Sequence, residues 1–222
     1  MSGSGTVVIL ANGAPPVAEL PLRILRNTDQ LVCCDGAYAK ARALGREPDF
    51  VVGDGDSLSS DERAALGSRF VPIAEQDTND LAKALRFVLG MEGRAGSVPP
   101  PARIVILGAT GLREDHTLGN VFHLFDFAAL LRERETKPPI LEMVTDTGTF
   151  EVVSAVKTFA CQPGDAVSIF ACDPDTRVHS EGLAWPLDGV MFPNLWCATL
   201  NRTTGATFLL NPDRPILVFR VA

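Results

Sequence analysis

Pro48-Asp-Phe-Val-Val-Gly-Asp-Gly-Asp-Ser57 reads as a short apolar strand that runs straight into acidic turn residues. The apolar residues are consecutive rather than alternating, which is the pattern of a strand covered on both faces, as in a parallel sheet. The same arrangement recurs on either side. TVVILANG (6–13) and LVCCDG (31–36) are apolar runs closed by turn signals, and ARIVILGATG (102–111) is a fourth. Between them lie segments of helical composition. LPLRILRN (20–27) and AYAKARALG (37–45) are two. SSDERAALG (59–67) opens on serine caps and stops at glycine. NDLAKALRFVLG (79–90) repeats its apolar residues at helical spacing, and HTLGNVFHLFDFAALLRERE (116–135) predicts a long helix. FVPIA (70–74) predicts a further short strand, and EGRAGSVPPPAR (92–103) a Gly/Pro loop.

Strand alternating with helix predicts an α/β domain around a doubly wound, mostly parallel sheet. After Pro138-Pro139 the pattern changes. LEMVTD, TFEVVSA, DAVSIFA, ATFLLN and PILVFRVA are β-type runs between turns, with no helical stretch among them. The expectation is two domains: residues 1–150 as the α/β part and 151–222 as a smaller all-β sandwich. About seventy residues make a thin sandwich with edges to cover, and dimerisation through it is one remedy.

The chain has 222 residues, is 46% hydrophobic and carries a net charge of −7. No basic stretch clusters, so nucleic acid is not an expected partner. No run approaches the ~20 apolar residues of a membrane span, and the N-terminal apolar run has no basic leader and is short for a signal peptide. Five cysteines, odd in number and without C-x-x-C spacing, argue against a disulfide framework or a zinc site. These features predict a reduced, cytoplasmic protein.

The acidic clusters carry the chemistry. Asp35, Asp54 with Asp56, Asp77 with Asp80, and Asp115 fall at strand ends or at the helix starts that follow. In open α/β sheets, sites form beyond the carboxyl ends of strands. Carboxylates gathered there suit a hard cation such as Mg²⁺, which takes a few carboxylates and fills its shell with water and substrate phosphate. If the backbone is extended, Asp54 and Asp56 point to one side and converge on one ion. A solvated D-G-D turn explains the same residues. Gln76-Asp-Thr-Asn79-Asp80 opens a helix whose free N–H groups favour an anion, although Thr78 or Asn79 can simply cap it. Lys83 can reach back to a phosphate or lie in solvent. Arg113, after the Gly108–Gly111 turn, can grip phosphate bidentately. Asp115 can hold that arginine, bind metal through water or cap the helix. His116 suits structural hydrogen bonding better than general-base work, and Asn120 lies one turn beyond it. P-loop, serine-hydrolase and dinucleotide fingerprints are absent.

In this order and spacing the clusters resemble the thiamine pyrophosphokinase family. The matching residues are Asp35-Gly36-Ala37; Pro48-Asp49 with Gly53–Ser57; Gln76 with Asn79-Asp80; and Gly108-Ala109, Gly111, Arg113, Asp115, His116 and Asn120. The resemblance is good over residues 6 to about 135 and looser beyond, in PGDAVSIFA, EGLAWPL and PILVF. It implies a nucleotide-binding catalytic domain followed by a β-sandwich for thiamine binding and dimerisation, working as a homodimer. It implies transfer of the pyrophosphoryl group of ATP to the hydroxyl of thiamine, with Mg²⁺. Asp35, Asp54, Asp56 and Asp80 would surround the metal and the triphosphate, and Gln76 and Arg113 would hold phosphates or position the alcohol. Asn79, Lys83, Asp115, His116 and Asn120 would line the substrate site, and Trp185, Thr199 and Asn201 the thiamine end. The chain departs from the family where many members carry Ser before the final Asn: here Leu200 precedes Asn201, and Thr199 can supply a hydroxyl. Members often have Thr-Asp where Asn79-Asp80 stands. Two other readings fit the same residues: a non-catalytic nucleotide or thiamine-phosphate binding protein, and a metal-dependent phosphohydrolase.

Overall fold

The computed structural model describes residues 5–92, 98, 100–134 and 137–222. These divide into two units, up to Asp146 and from Thr147 onward. Half of the loop expected over 92–103, residues 93–97 and 99, lies outside the described residues.

The first unit is a mixed α/β layer around six parallel strands. They are β1 (Thr6–Leu10), β2 (Gln30–Cys34), β3 (Phe50–Gly53), β4 (Phe70–Pro72), β5 (Arg103–Leu107) and β6 (Ile140–Val144). Their order is β6-β5-β1-β2-β3-β4, and every pairing is parallel. β1, β2 and β5 each bury four consecutive residues, so both faces of the sheet are covered, as the apolar runs demand. The chain adds β2, β3 and β4 outward from β1, then crosses back to lay β5 on its other side. The switch point of the sheet therefore opens between the carboxyl ends of β1 and β5.

The helices are α1 (Glu19–Asn27), α2 (Tyr38–Ala43), α3 (Ser60–Leu66), α4 (Asp80–Val88) and α5 (Glu114–Arg134). Ser59 and Glu62 form a full capping box at the start of α3. No side chain beside α1 caps it. Asp146 instead accepts from the amides of Val17 and Ala18 at 2.9 and 2.8 Å, from 128 residues or more along the chain. The strand expected over 70–74 is shorter, ending at Pro72 in the edge position. Proline there gives up no pairing.

The second unit contains only strands among its described elements. β7 (Gly148–Val153), β9 (Ala166–Ala171), β11 (Ala198–Arg202) and β13 (Ile216–Val221) pair antiparallel in the order β11-β9-β13-β7. β8 (Lys157–Ala160), β10 (Val178–Glu181) and β12 (Thr207–Pro212) form a separate antiparallel sheet, β10-β12-β8. Val153, Val167, Ile169 and Val218 from the first sheet share a core with Phe159, Val178, Phe208 and Leu210 from the second. LEMV, grouped in sequence with the β-type runs, is β6 of the parallel sheet. All five cysteines are free thiols, Cys33 and Cys34 buried in β2.

Candidate active site

A cleft of about 520 Å³ lies at the carboxyl ends of β1, β2, β3 and β5. Asp54, Asp56, Gln76, Asn79, Asp80, Lys83, Arg113, His116 and Asn120 line it, all expected from sequence. Ala11, Asn12, Gly13, Thr110 and Thr117 line it as well and were not anticipated.

Carboxylate oxygens of Asp35, Asp54 and Asp56 lie within 4.8 Å of one another. They converge through a turn and not, as the sequence reading had it, along an extended strand. β3 ends at Gly53, Gly55 turns the chain with φ +83°, and the Asp56 amide donates to Asp54 Oδ1 at 3.1 Å. Asp35 organises this turn from below. It is 1% exposed, and its two oxygens accept from the amides of Gly36 (2.6 Å) and Gly55 (3.0 Å). The Gly55 amide thus serves Asp35 and not an incoming ligand. Burial, and then the charge of Asp80, push the Asp35 carboxyl above its ordinary range, against the pull of those two amides. Asp54 is solvated and moves the other way. Gln76 Nε2 donates to Asp54 Oδ2 at 2.9 Å, and that bond with the Asp56 amide holds it below the ordinary range.

Asp80 opens α4 on the same cleft. Burial raises its pKa, partly offset by the ammonium of Lys83 at 3.4 Å. Lys83 is 2% exposed yet lines the cleft. Lysine is almost never that buried without a counter-ion. One long contact to Asp80 leaves most of its donor capacity for an anion. Asn79 caps α4 by accepting from the Ala82 amide at 2.9 Å, so capping explains this residue. Its amide nitrogen also donates to Asn120 Oδ1 at 3.1 Å, and Asn120 donates to the Ala109 carbonyl at 2.8 Å. The two asparagines stitch α4, α5 and the turn after β5 together. Glu75 organises the loop before α4 through the amides of Asp77 and Thr78.

Arg113, also in the lining, forms a two-pronged pair with Asp115, at 3.0 Å from Nε and 2.5 Å from Nη2. The guanidinium pulls the Asp115 carboxyl down to about 2. Both side chains are well exposed, so the pair orients the arginine at the cleft mouth without burying it. His116 bonds Asp115 Oδ1 through its backbone amide.

Trp185, Thr199 and Asn201 belong to the second unit and are not part of the cleft lining. Trp185 is 60% exposed. Asn201 is buried, its amide accepting from the Trp185 backbone N–H (3.2 Å) and donating to the Trp185 carbonyl (2.7 Å). It fixes the backbone that carries the indole. The Thr199 hydroxyl donates to the Trp196 carbonyl at 2.9 Å. Leu200 has φ +59° and is 80% exposed, a conformation that costs a leucine energy while holding its apolar side chain in solvent. No helix among the described residues is long and apolar enough to cross a membrane.

Carboxylates, a buried ammonium and a guanidinium lining one cleft suit a phosphorylated ligand held through a divalent cation. Residues 22–135 match the family described as thiamin pyrophosphokinase, catalytic domain, and residues 148–219 match thiamin pyrophosphokinase, substrate-binding domain. Thiamine pyrophosphokinase 1 of Oryza sativa subsp. japonica is 35% identical over 86 residues, a match spanning 37% of this chain and 32% of that protein. The chain thus spans about a third of that curated relative. Two crystal structures share the fold. A thiamin pyrophosphokinase family protein from Enterococcus faecalis has TM-score 0.76 and 20% identity over 98% of this chain and 99% of that one. The yeast thiamin pyrophosphokinase has TM-score 0.76 and 15% identity, over 100% and 88%. With both of its halves matched by family descriptions, this chain belongs to the thiamin pyrophosphokinase family.

Proposed function

We propose that the protein transfers the pyrophosphoryl group of ATP to the hydroxyl of thiamine, giving thiamine diphosphate and AMP. The observation that carries this reading is the Asp35–Asp54–Asp56 cluster, two of whose members, Asp54 and Asp56, line one cleft with the buried Lys83. Lys83 keeps donors spare beyond its long contact to Asp80, and the carboxylates keep acceptor sites spare beyond their hydrogen bonds; a magnesium–triphosphate takes up both.

The donor set fits Mg²⁺. Three carboxylate oxygens within 4.8 Å, graded from buried to exposed, provide hard oxygen ligands on one side and leave the other open to water and phosphate. Asp35, Asp54 and Asp56 would hold the ion, with Asp80 beside them. When bound, Mg²⁺ neutralises charge on the triphosphate. The chain's own residues do the rest. Lys83 and Arg113 hold phosphate oxygens, Gln76 keeps Asp54 ionised and oriented, and Asn79 and Asn120 fix the wall. The thiamine alcohol oxygen forms a bond to the β-phosphorus. The bond from that phosphorus to the α–β bridging oxygen breaks, and the oxygen leaves on AMP. The alcohol proton passes to a carboxylate of the cluster. Such transfer needs positioning and charge stabilisation more than covalent help.

Thiamine is a cation with aromatic rings, and the exposed indole of Trp185, held by Asn201, suits its recognition. Met191, Trp196 and Leu200 are also well exposed in the second unit, which supports reading it as the acceptor-binding and dimerising part of a homodimer. The test is incubation with ATP, Mg²⁺ and thiamine followed by mass analysis. Equal yields of AMP and thiamine diphosphate are expected. Inorganic phosphate released without thiamine would point to a phosphohydrolase, and binding without AMP would point to a non-catalytic binding protein.

A further inference from the structure

The cleft holds a polar side chain whose direction is fixed and whose N–H donors have no protein acceptor among the described residues. Lys40, on α2, donates to the Asn12 carbonyl (2.8 Å), the Asn12 side-chain oxygen (2.6 Å) and the Gly13 carbonyl (2.8 Å). All three ammonium protons are spent on the turn that follows β1. An ammonium can only donate, so the Asn12 amide oxygen must face Lys40 and Nδ2 must face away. Nδ2 lies over Gly36: a Cβ there would stand 2.1 Å from it, an approach that only glycine permits. Gly36 in turn donates to Asp35 of the carboxylate trio. Asp35 accepts from Gly36 and Gly55 and not from Asn12. Asn12 is exposed and lines the cleft at the switch point, between the β1 and β5 turns tied by Gly13 N–H to the Gly108 carbonyl at 2.6 Å.

Two N–H donors beside a carboxylate trio, with their flip fixed from behind by a lysine, stand ready for an oxygen acceptor arriving in the cleft in place of water. We propose that Asn12 is a ligand for a phosphate oxygen of the nucleotide, and that Lys40 is the residue that positions it. This rests on the nucleotide reading of the cleft. Lys40 touches no ligand in this arrangement. Its ammonium makes one of two amide orientations available and seats the turn.

The test is calorimetric titration of the full-length protein, in Mg²⁺, with ATP, inorganic tripolyphosphate and adenosine as separate probes. Asn12→Ala is expected to weaken ATP and tripolyphosphate by about tenfold, the worth of a hydrogen bond to a charged group, and to leave adenosine unchanged. Lys40→Met is expected to weaken them similarly, and the double variant no further than Asn12→Ala alone, because Lys40 acts through Asn12. A lysine that merely braced the fold would instead give multiplicative losses and weaken adenosine too. Wild-type affinity for ATP in Asn12→Ala, or a loss confined to adenosine, overturns the assignment. Should Lys40→Met not fold, Asn12→Ala alone decides it. Failure of the unmodified protein to bind ATP defeats the nucleotide reading instead, so the two failures are distinguishable.

Discussion

Gln76 Nε2 donates to Asp54 Oδ2 at 2.9 Å, and this bond is the foremost reason that Asp54 stays ionised below the ordinary carboxylate range. Removing the donor lets Asp54 take its proton at higher pH. In Gln76→Ala, the acid limb of the kcat/KM profile should therefore move to higher pH, and turnover at neutral pH should fall by roughly tenfold. The pH–rate profile of the two proteins checks this. An unmoved acid limb would separate Gln76 from the Asp54 carboxylate.

Lys83 places a charge where an apolar side chain would be cheaper. Removing one partner of a buried ion pair is costly when the other charge stays buried, but Asp80, the partner left behind here, is 39% exposed and keeps its water. Lys83→Met should accordingly melt within a few degrees of the unmodified protein or above it, while kcat falls by about a hundredfold or more. Thermal melting together with steady-state kinetics reads both. A large drop in melting temperature with modest kinetic loss would make Lys83 a structural residue.

Arg113 and Asp115 make an exposed, two-pronged pair that contributes little stability. Asp115 titrates at about 2, so the pair remains ionised throughout any assay range. Arg113→Lys, which cannot reproduce the fork, should raise KM for ATP by about tenfold without moving either limb of the pH profile or the melting temperature. A shifted limb would mean that the pair titrates during catalysis.

In the second unit His179 Nδ1 lies 2.5 Å from Asp188 Oδ1, with Glu181 3.4 Å from Nε2. Arg177 and Asp213 line the same surface hollow. The bond to Asp188 raises the histidine pKa, and the bond to His179 lowers that of Asp188. A raised histidine pKa stabilises fully below its unfolded value, about 6.5, and is lost as pH climbs through the folded value. The lowered aspartate stabilises above about 3.9 and is lost as pH falls through its folded value. His179→Gln should thus cost most stability between about pH 4 and 6.5, and the gap should narrow as pH climbs through the raised histidine value. Denaturant melts at pH 5.5 and 8.5 measure it; an equal gap at both would exclude the ion pair.

Where a strand is covered on both faces, its own residues announce it, so β1, β2, β3 and β5 were legible as unbroken apolar runs. β8, β10 and β11 were not. Lys157–Ala160 and Val178–Glu181 alternate buried and exposed over only four residues, too few for the pattern to emerge. Ala198–Arg202 is broken by a register shift at Leu200, whose positive φ no leucine advertises. At the site, the acidic residues were legible because they sit where strands end. What arranges them was not. Asp146 caps α1 from far along the chain, Lys40 holds Asn12 across 28 residues, and Asp54 meets Asp56 through a turn where period-two reasoning assumed a strand.

The catalytic expectations depend on Asp35, Asp54 and Asp56 converging on one cation that carries the nucleotide. The most direct measurement is a crystal of the protein soaked with Mg²⁺ and a non-hydrolysable ATP analogue. An ion about 2.1 Å from carboxylate oxygens of the trio, bridging to phosphate, with Lys83 on the triphosphate, is the expected result. Nucleotide bound elsewhere, or bound in this cleft with no ion among the three carboxylates, would contradict it.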